Sequence, residues 1–323
     1  MRIPRIVSRG VGGAVFSGLL AFAGAAHAQN AAVPTYDFGK PPEKAKPAVE
    51  WKVQAKGGLL LTTGNSQTGS GTFAIDSSRQ SGMNKLSLNG GVAYGRSRIM
   101  VPVSDVAGGP TTNLDRQSQT TTNQWKARGR YDRFITENNS AYVLGQIGAD
   151  RIAGKALFGG GQAGYSRQLL KNTEHTLVAE LGYDLSYESY VQSPGKPPID
   201  GVAIHSARLF VGELWTLSKE TGINVSGEAL FNMNKEQALN ANDDTGNTKG
   251  VDAFKDTRLI GKLGVTTLLH KSLSLALGFT VKYDQNPAPF PLPSGAMPYD
   301  VGFLPFADKV DTLTEATLIY TFL

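Results

Sequence analysis

The chain has 323 residues, no cysteine and a formal charge of +5, from 32 Lys and Arg against 27 Asp and Glu. Lack of cysteine fits a cell-envelope protein that avoids oxidative pairing. Three of the basic residues lie in the first 28 positions, which hold no acid; removing those three from 32 leaves 29 bases against 27 acids, a net +2. A balance so near zero excludes a nucleic-acid footprint.

The first element is an export signal. Arg2, Arg5 and Arg9 precede an apolar, small-residue stretch from about Val11 to Ala26, closed by Ala26-His27-Ala28. Basic, apolar and small segments in that order make a secretory signal peptide, 1–28, with cleavage expected after Ala28. The alternative is an uncleaved anchor, for which the stretch is short and too rich in Gly and Ala. Residues 29–50 are rich in Pro, Lys and Ala without a period, and are expected to be a flexible periplasmic lead-in. No later segment approaches the ~20 apolar residues of a spanning helix. A membrane protein made from residues 51–323 must therefore be a closed barrel, which satisfies every backbone polar group in lipid.

From Trp51 the sequence alternates. Trp51, Val53, Ala55, Leu59 and Leu61 share one face, opposite Lys52, Gln54, Lys56 and Thr62. Trp125, Ala127, Gly129 and Tyr131 oppose Gln124, Lys126, Arg128 and Arg130. Leu177, Leu181, Tyr183, Leu185 and Tyr187 oppose Glu180, Asp184, Ser186 and Glu188. A period of two means strands, because successive side chains leave opposite faces of a pleated backbone. Twelve such segments are predicted: 50–62, 68–79, 83–98, 117–132, 140–152, 158–170, 175–190, 202–217, 221–233, 254–269, 272–284 and 309–323. Segments 68–79 and 158–170 are weakly patterned. In 202–217 the phase stays open, because Arg208 and Glu213 cannot both face inward.

The connections sort by parity. Those after even segments are short. Those after odd segments are mostly long: 99–116, 191–201, 234–253 and 285–308. Short turns at one end and long loops at the other are the plan of an outer-membrane barrel, with turns in the periplasm and loops outside. A soluble β-sandwich, the alternative fold, has no reason to sort them so. Trp51, Tyr94, Tyr131, Tyr187, Tyr283 and Tyr320 fall near segment ends, where aromatic girdles meet the membrane–water interfaces.

Three stretches resemble a known family. Trp51 with Thr62-Thr63-Gly64-Asn65-Ser66, then Gly159 to Tyr165 followed by Leu177 to Tyr183, and last the alternating Leu318, Tyr320 and Phe322, are similar to the YdiY-like family of uncharacterised, salt-induced outer-membrane proteins. The resemblance implies an outer-membrane barrel and brings no catalytic residues with it. The terminal strand also resembles the signal by which such proteins engage the barrel-assembly machinery. Here the aromatic Phe322 is penultimate and Leu323 follows it.

Little catalytic chemistry is offered. Outside the signal the histidines are His175, His205 and His270. A barrel lipid hydrolase needs a Ser–His pair at the membrane boundary, but His205 and Ser206 are adjacent on a strand and point to opposite faces. Residues 240–247 carry Asn and Asp with a glycine, yet miss the calcium-loop spacing by one position. No catalytic, cofactor or metal residues are assigned.

The interior is the candidate site. Lys126, Arg128 and Arg130 make a basic ladder, and Glu180, Asp184 and Glu188 an acidic one. Two readings stay open: a pore selective for anions or sugar acids, or a salt-bridge network that plugs a narrow lumen. The loop 285–308, with six prolines and three phenylalanines, is expected to act as a lid or a surface contact. The expectation is thus an all-β, 12-stranded transmembrane antiparallel barrel at 51–323, in contact with outer-membrane lipid, forming a narrow channel for small or anionic solutes. A non-conducting structural or stress-responsive surface barrel and a lipid hydrolase are the alternatives.

Overall fold

The computed structural model describes residues 49–62, 67–103, 113–192, 200–236, 251–289, 306 and 308–322. The expected signal, most of the lead-in, the 240–247 loop and the bulk of loop 285–308 lie outside them. The strands are β1 (Glu50–Thr62), β2 (Gln67–Ser81), β3 (Asn84–Val103), β4 (Asn113–Thr136), β5 (Asn139–Asp150) and β6 (Lys155–Lys171). They continue as β7 (His175–Tyr190), β8 (Val202–Thr216), β9 (Thr221–Asn232), β10 (Thr257–His270), β11 (Leu273–Asp284) and β12 (Val310–Thr321).

Each strand pairs antiparallel with its sequence neighbours. The ladder closes where β1 meets β12, with Gln54 opposite Thr321 and Gly57 opposite Leu318. Closure removes both sheet edges, and with them every unpaired row of backbone donors and acceptors. The sandwich alternative is thereby excluded. The turns after even strands are tight. Gly82 sits at φ +53° between β2 and β3, a left-handed conformation that glycine adopts without a Cβ clash.

All twelve predicted segments are strands. The third and fourth run further than expected, through Val103 and from Asn113, into what the sequence suggests is loop. Alternation of apolar residues reports contact with lipid. Strand pairing needs only backbone groups, so a hairpin that continues past the apolar band loses the pattern while keeping the ladder.

Apolar side chains point outward all round. Leu59, Leu88, Val143, Leu181, Val211 and Leu277 are all exposed, Leu59 by 80% and Leu181 by 61%. In water such a surface would cost about 25 cal/mol for each Å²; in hydrocarbon it costs nothing. Trp51, Tyr131, Tyr165, Trp215 and Tyr320 ring the short-turn end, and Tyr94, Tyr183 and Tyr187 stand outward toward the long-loop end. At the turn end His175 stacks on Trp215 at 5.5 Å and bonds Glu213 at 2.7 Å. This settles the phase of β8: Arg208 faces in, Glu213 faces out.

Candidate functional site: the barrel interior

The alternation that puts apolar groups outside puts ionised ones inside. Over β4 to β9, toward the turn end, they form one bonded cluster. Arg130 meets Asp132 and Glu180, each at 2.7 Å. Arg208, with 0% exposure, bonds Glu180 at 2.7 Å and the Tyr142 hydroxyl at 2.8 Å, and pairs with Glu228. Two arginines thus share one carboxylate, Glu180, and both place their guanidinium carbons over the same phenol ring, Arg130 at 4.2 Å and Arg208 at 5.8 Å from its centre. Opposite charges this close, dried by packing, hold each other far more strongly than a surface pair does.

The glycine-rich strand gives this cluster its space. Gly164 and Gly182 face each other across β6 and β7. A Cβ on either would lie 2.7 or 2.6 Å from the Tyr142 hydroxyl. The phenol lies in the trough those two glycines leave, and the arginines lie on the phenol.

Further toward the loop end the contacts continue. Asp184 accepts from Gln162 at 2.8 Å and from Ser186 at 2.5 Å. Lys155 bonds Glu188 at 2.6 Å, and Arg258 approaches Glu188 at 3.8 Å and Asp184 at 3.9 Å.

Two cavities open beside these contacts. A cavity of about 330 Å³ occupies the loop-end half, lined among others by Lys126, Arg128, Lys262 and Lys282. A second, of about 240 Å³, occupies the turn-end half beside the packed cluster, among Lys52, Gln54, Asn224, Ser226 and Thr266. Both are lined by Asp76 and Asn89. There Asn89 donates to Asp76 at 2.7 Å, and Lys56 pairs with the same carboxylate.

The six residues expected to line the lumen all face it, in different company. Arg130 and Glu180 join the packed cluster. Asp184 and Glu188 line the loop-end cavity with Arg258 between them. Lys126 and Arg128 stand on the cavity wall, within electrostatic range of Lys282 and Lys262 from the opposite side. Sequence reasoning did not single out Tyr142, Arg208, Arg258 or Asp76. Arg208 was left undecided with the phase of its segment, whose inward face also carries the apolar Ile204 and Phe210. The signal for Tyr142 was a tyrosine out of phase with the outward aromatics.

At the loop end Glu236, just after β9, meets Val251, ahead of β10. Glu236 and Val251 exchange backbone hydrogen bonds at 2.9 and 3.0 Å. The Glu236 side chain is 6% exposed, and its Oε1 has no hydrogen-bond partner. Burial, reinforced by Asp256, pushes its carboxyl up to about 7. Asp256 is also raised, by burial and then by Asp284. The fully buried Asn232 ties this corner together, donating to the Asn234 and Asp252 carbonyls and accepting from the Asp256 amide at 2.9 Å.

His205 lies on the outer face against the Tyr183 hydroxyl, whereas Ser206 is buried in the lumen beside Arg258. The two do not form a nucleophile–base pair. Among the described residues no cluster of three or more His, Asp or Glu side chains could hold a metal ion.

A closed antiparallel sheet with an apolar exterior and an ionised interior is a transmembrane β-barrel. This chain belongs to the family described as protein of unknown function DUF481, which it matches over residues 55–322. No curated protein matches it. Among solved structures it is similar to the NanC porin, at 6% identity and TM-score 0.39, over 84% of this chain and 97% of that one. It is also similar to the translocator domain of autotransporter NalP from Neisseria meningitidis, at 12% identity and TM-score 0.39, over 84% and 87%. A third is the outer membrane channel DcaP of Acinetobacter baumannii, at 11% identity and TM-score 0.30, over 85% and 96%. These are likenesses of barrel architecture at low identity.

Proposed function

We propose that the protein sits in the outer membrane, turns toward the periplasm and loops outside, as a narrow passage for small solutes that favours anions. Residues 1–28 direct export and are removed after Ala28, and the terminal strand bearing Tyr320 and Phe322 engages the assembly machinery. The observation that carries the passage is the pair of cavities, one toward each end, that share Asp76 and Asn89 as lining. A lumen packed solid by its ion pairs would leave no such pair of spaces. The preference for anions is supported by Lys126 and Arg128 on one wall facing Lys262 and Lys282 on the other. Twelve strands leave an interior between a side-chain-filled barrel of eight strands and an open porin of sixteen, so a low conductance is expected. Carboxylates near the belt, Asp76, Glu228 and Glu315, keep the selectivity moderate.

The test is single-channel recording of the refolded chain in planar bilayers under a salt gradient. Small, discrete steps with a reversal potential on the anion side are expected. Lys126→Glu with Arg128→Glu should move that potential toward cations. A folded barrel giving no steps above background overturns the passage. The second reading, a non-conducting structural barrel, is favoured by the bonded cluster over β4 to β9 and takes its place in that outcome.

A further inference from the structure

The loop-end cavity is lined in an unusual way for a conduit of hydrated ions. Leu230 of β9, Ile260 of β10 and Leu313 of β12 turn apolar side chains into it, and Phe158 of β6 joins them. These positions interleave with the cationic belt. Ile260 lies directly opposite Lys282 on the neighbouring strand, and Lys262 opposite Thr280, which in turn faces Leu313. Facing residues on paired strands have Cβ atoms about 5 Å apart. One wall of the cavity therefore presents hydrocarbon and ammonium groups side by side, and Lys126 and Arg128 complete the charge from across the lumen.

Apolar surface held against water is costly, and a solute that covers it recovers that cost. A solute that also brings a carboxylate gains charge-assisted hydrogen bonds from the lysines and arginine. Neither chloride nor a sugar offers both. A volume of about 330 Å³ falls at the low end of small-molecule pockets, enough for a single ring bearing an acid.

We propose that this cavity is a binding site for small amphipathic carboxylates. The carboxylate sits among Lys126, Arg128, Lys262 and Lys282, and the hydrocarbon body lies on Leu230, Ile260 and Leu313. The site deepens the passage reading, since it names the solute class the passage would select, but binding and conduction are separable measurements.

The probe is benzoate, titrated by calorimetry into the full refolded chain in detergent, with acetate, benzyl alcohol and benzylammonium in parallel. Benzoate is expected to bind at least about tenfold more tightly than any of the other three, a difference of about 1.4 kcal/mol. Ile260→Ser with Leu313→Ser should erase its advantage over acetate. Lys262→Met should erase its advantage over benzyl alcohol, and serves as the second variant should the double serine change not fold. Equal affinity for benzoate, acetate and benzyl alcohol overturns the site, as does an advantage that survives both variants. A barrel that binds benzoate but passes no current keeps the site and loses the passage. A barrel whose current is indifferent to benzoate, and which binds none, keeps the passage and loses the site.

Discussion

Two regions of the same lumen solve the problem of inward charge in opposite ways. Over β4 to β8 toward the turn end, Arg130, Arg208, Asp132, Glu180 and Tyr142 are bonded to one another and dry. Across from them, and above them toward the loops, Lys126, Arg128, Lys262 and Lys282 line open space. Residue types do not distinguish the regions, since both alternate ionised groups along strands of similar composition. What differs is a filler. Tyr142 occupies the first region and brings two arginines onto its ring, whereas about 330 Å³ stays open between the walls of the second. A barrel of twelve strands is too wide for its own side chains to fill by default, so one bulky group on a glycine trough decides which side closes.

The sharpest way to break this comparison is to remove one cation from each region. Arg208→Met leaves Glu180 and Glu228 dry with part of their compensation gone. Stranding a buried partner costs about 3–5 kcal/mol. Lys262→Met acts beside an aqueous cavity, where water replaces the lost ammonium, and should cost about 1 kcal/mol or less. Urea unfolding of the barrels in lipid vesicles, followed by tryptophan fluorescence, measures both. Equal losses would mean that the lumen is uniformly packed and that the two regions are one.

How far this division was legible in sequence follows from what each kind of pattern reports. Strand count, order and inward face are written in period-two alternation, because lipid contact enforces it residue by residue. The ends of β3 and β4 escaped it because they extend past the lipid. The six lumen residues were legible as a face, Lys126, Arg128 and Arg130 on one strand and Glu180, Asp184 and Glu188 on another. Their partners were not. Whether Arg130 reaches Glu180 depends on register and tilt across three intervening strand pairs, which no local pattern encodes. Arg208 lay on a strand whose inward face also carries Val202, Ile204 and Phe210, and with Glu213 out of phase with it the sequence left that face open. The glycines of β6 were visible as a run, but the reason for Gly164, a phenol contributed by β5 that also lies against Gly182, is a tertiary fact.

That reason gives a smaller test. Gly182→Ala places a methyl 2.6 Å from the Tyr142 hydroxyl and 2.8 Å from the Ala163 carbonyl. Overpacking of this kind costs about 1–3 kcal/mol. Gly261→Ala, at a strand glycine with nothing within 4 Å of the added carbon, is the matched control and should be near neutral in the same unfolding assay. If the two cost the same, Tyr142 is not wedged and the packed region has slack.

The smallest effect is expected at the loop end, confined to one connection. Glu236 is held above the ordinary carboxylate value of 4.5, at about 7, first by burial and then by Asp256. Glu236 therefore holds its proton more tightly in the folded chain than in the unfolded one. Its contribution is complete below about 4.5 and is lost as pH rises through about 7. Asp256, raised by burial and Asp284, adds in the same direction, while Arg258 opposes both. Amide exchange reads this locally, because the Glu236 and Val251 amides are closed by their mutual bridge. After correction for intrinsic rates, their protection should fall by on the order of tenfold or more between about pH 5 and about pH 8, as the bound proton that favours the closed bridge is lost. Glu236→Gln keeps the shape and removes the charge, so it should flatten most of that dependence and leave the residue due to Asp256. Protection that is independent of pH in the native chain would mean that the carboxyl is solvated and that this bridge is not held by a neutral acid.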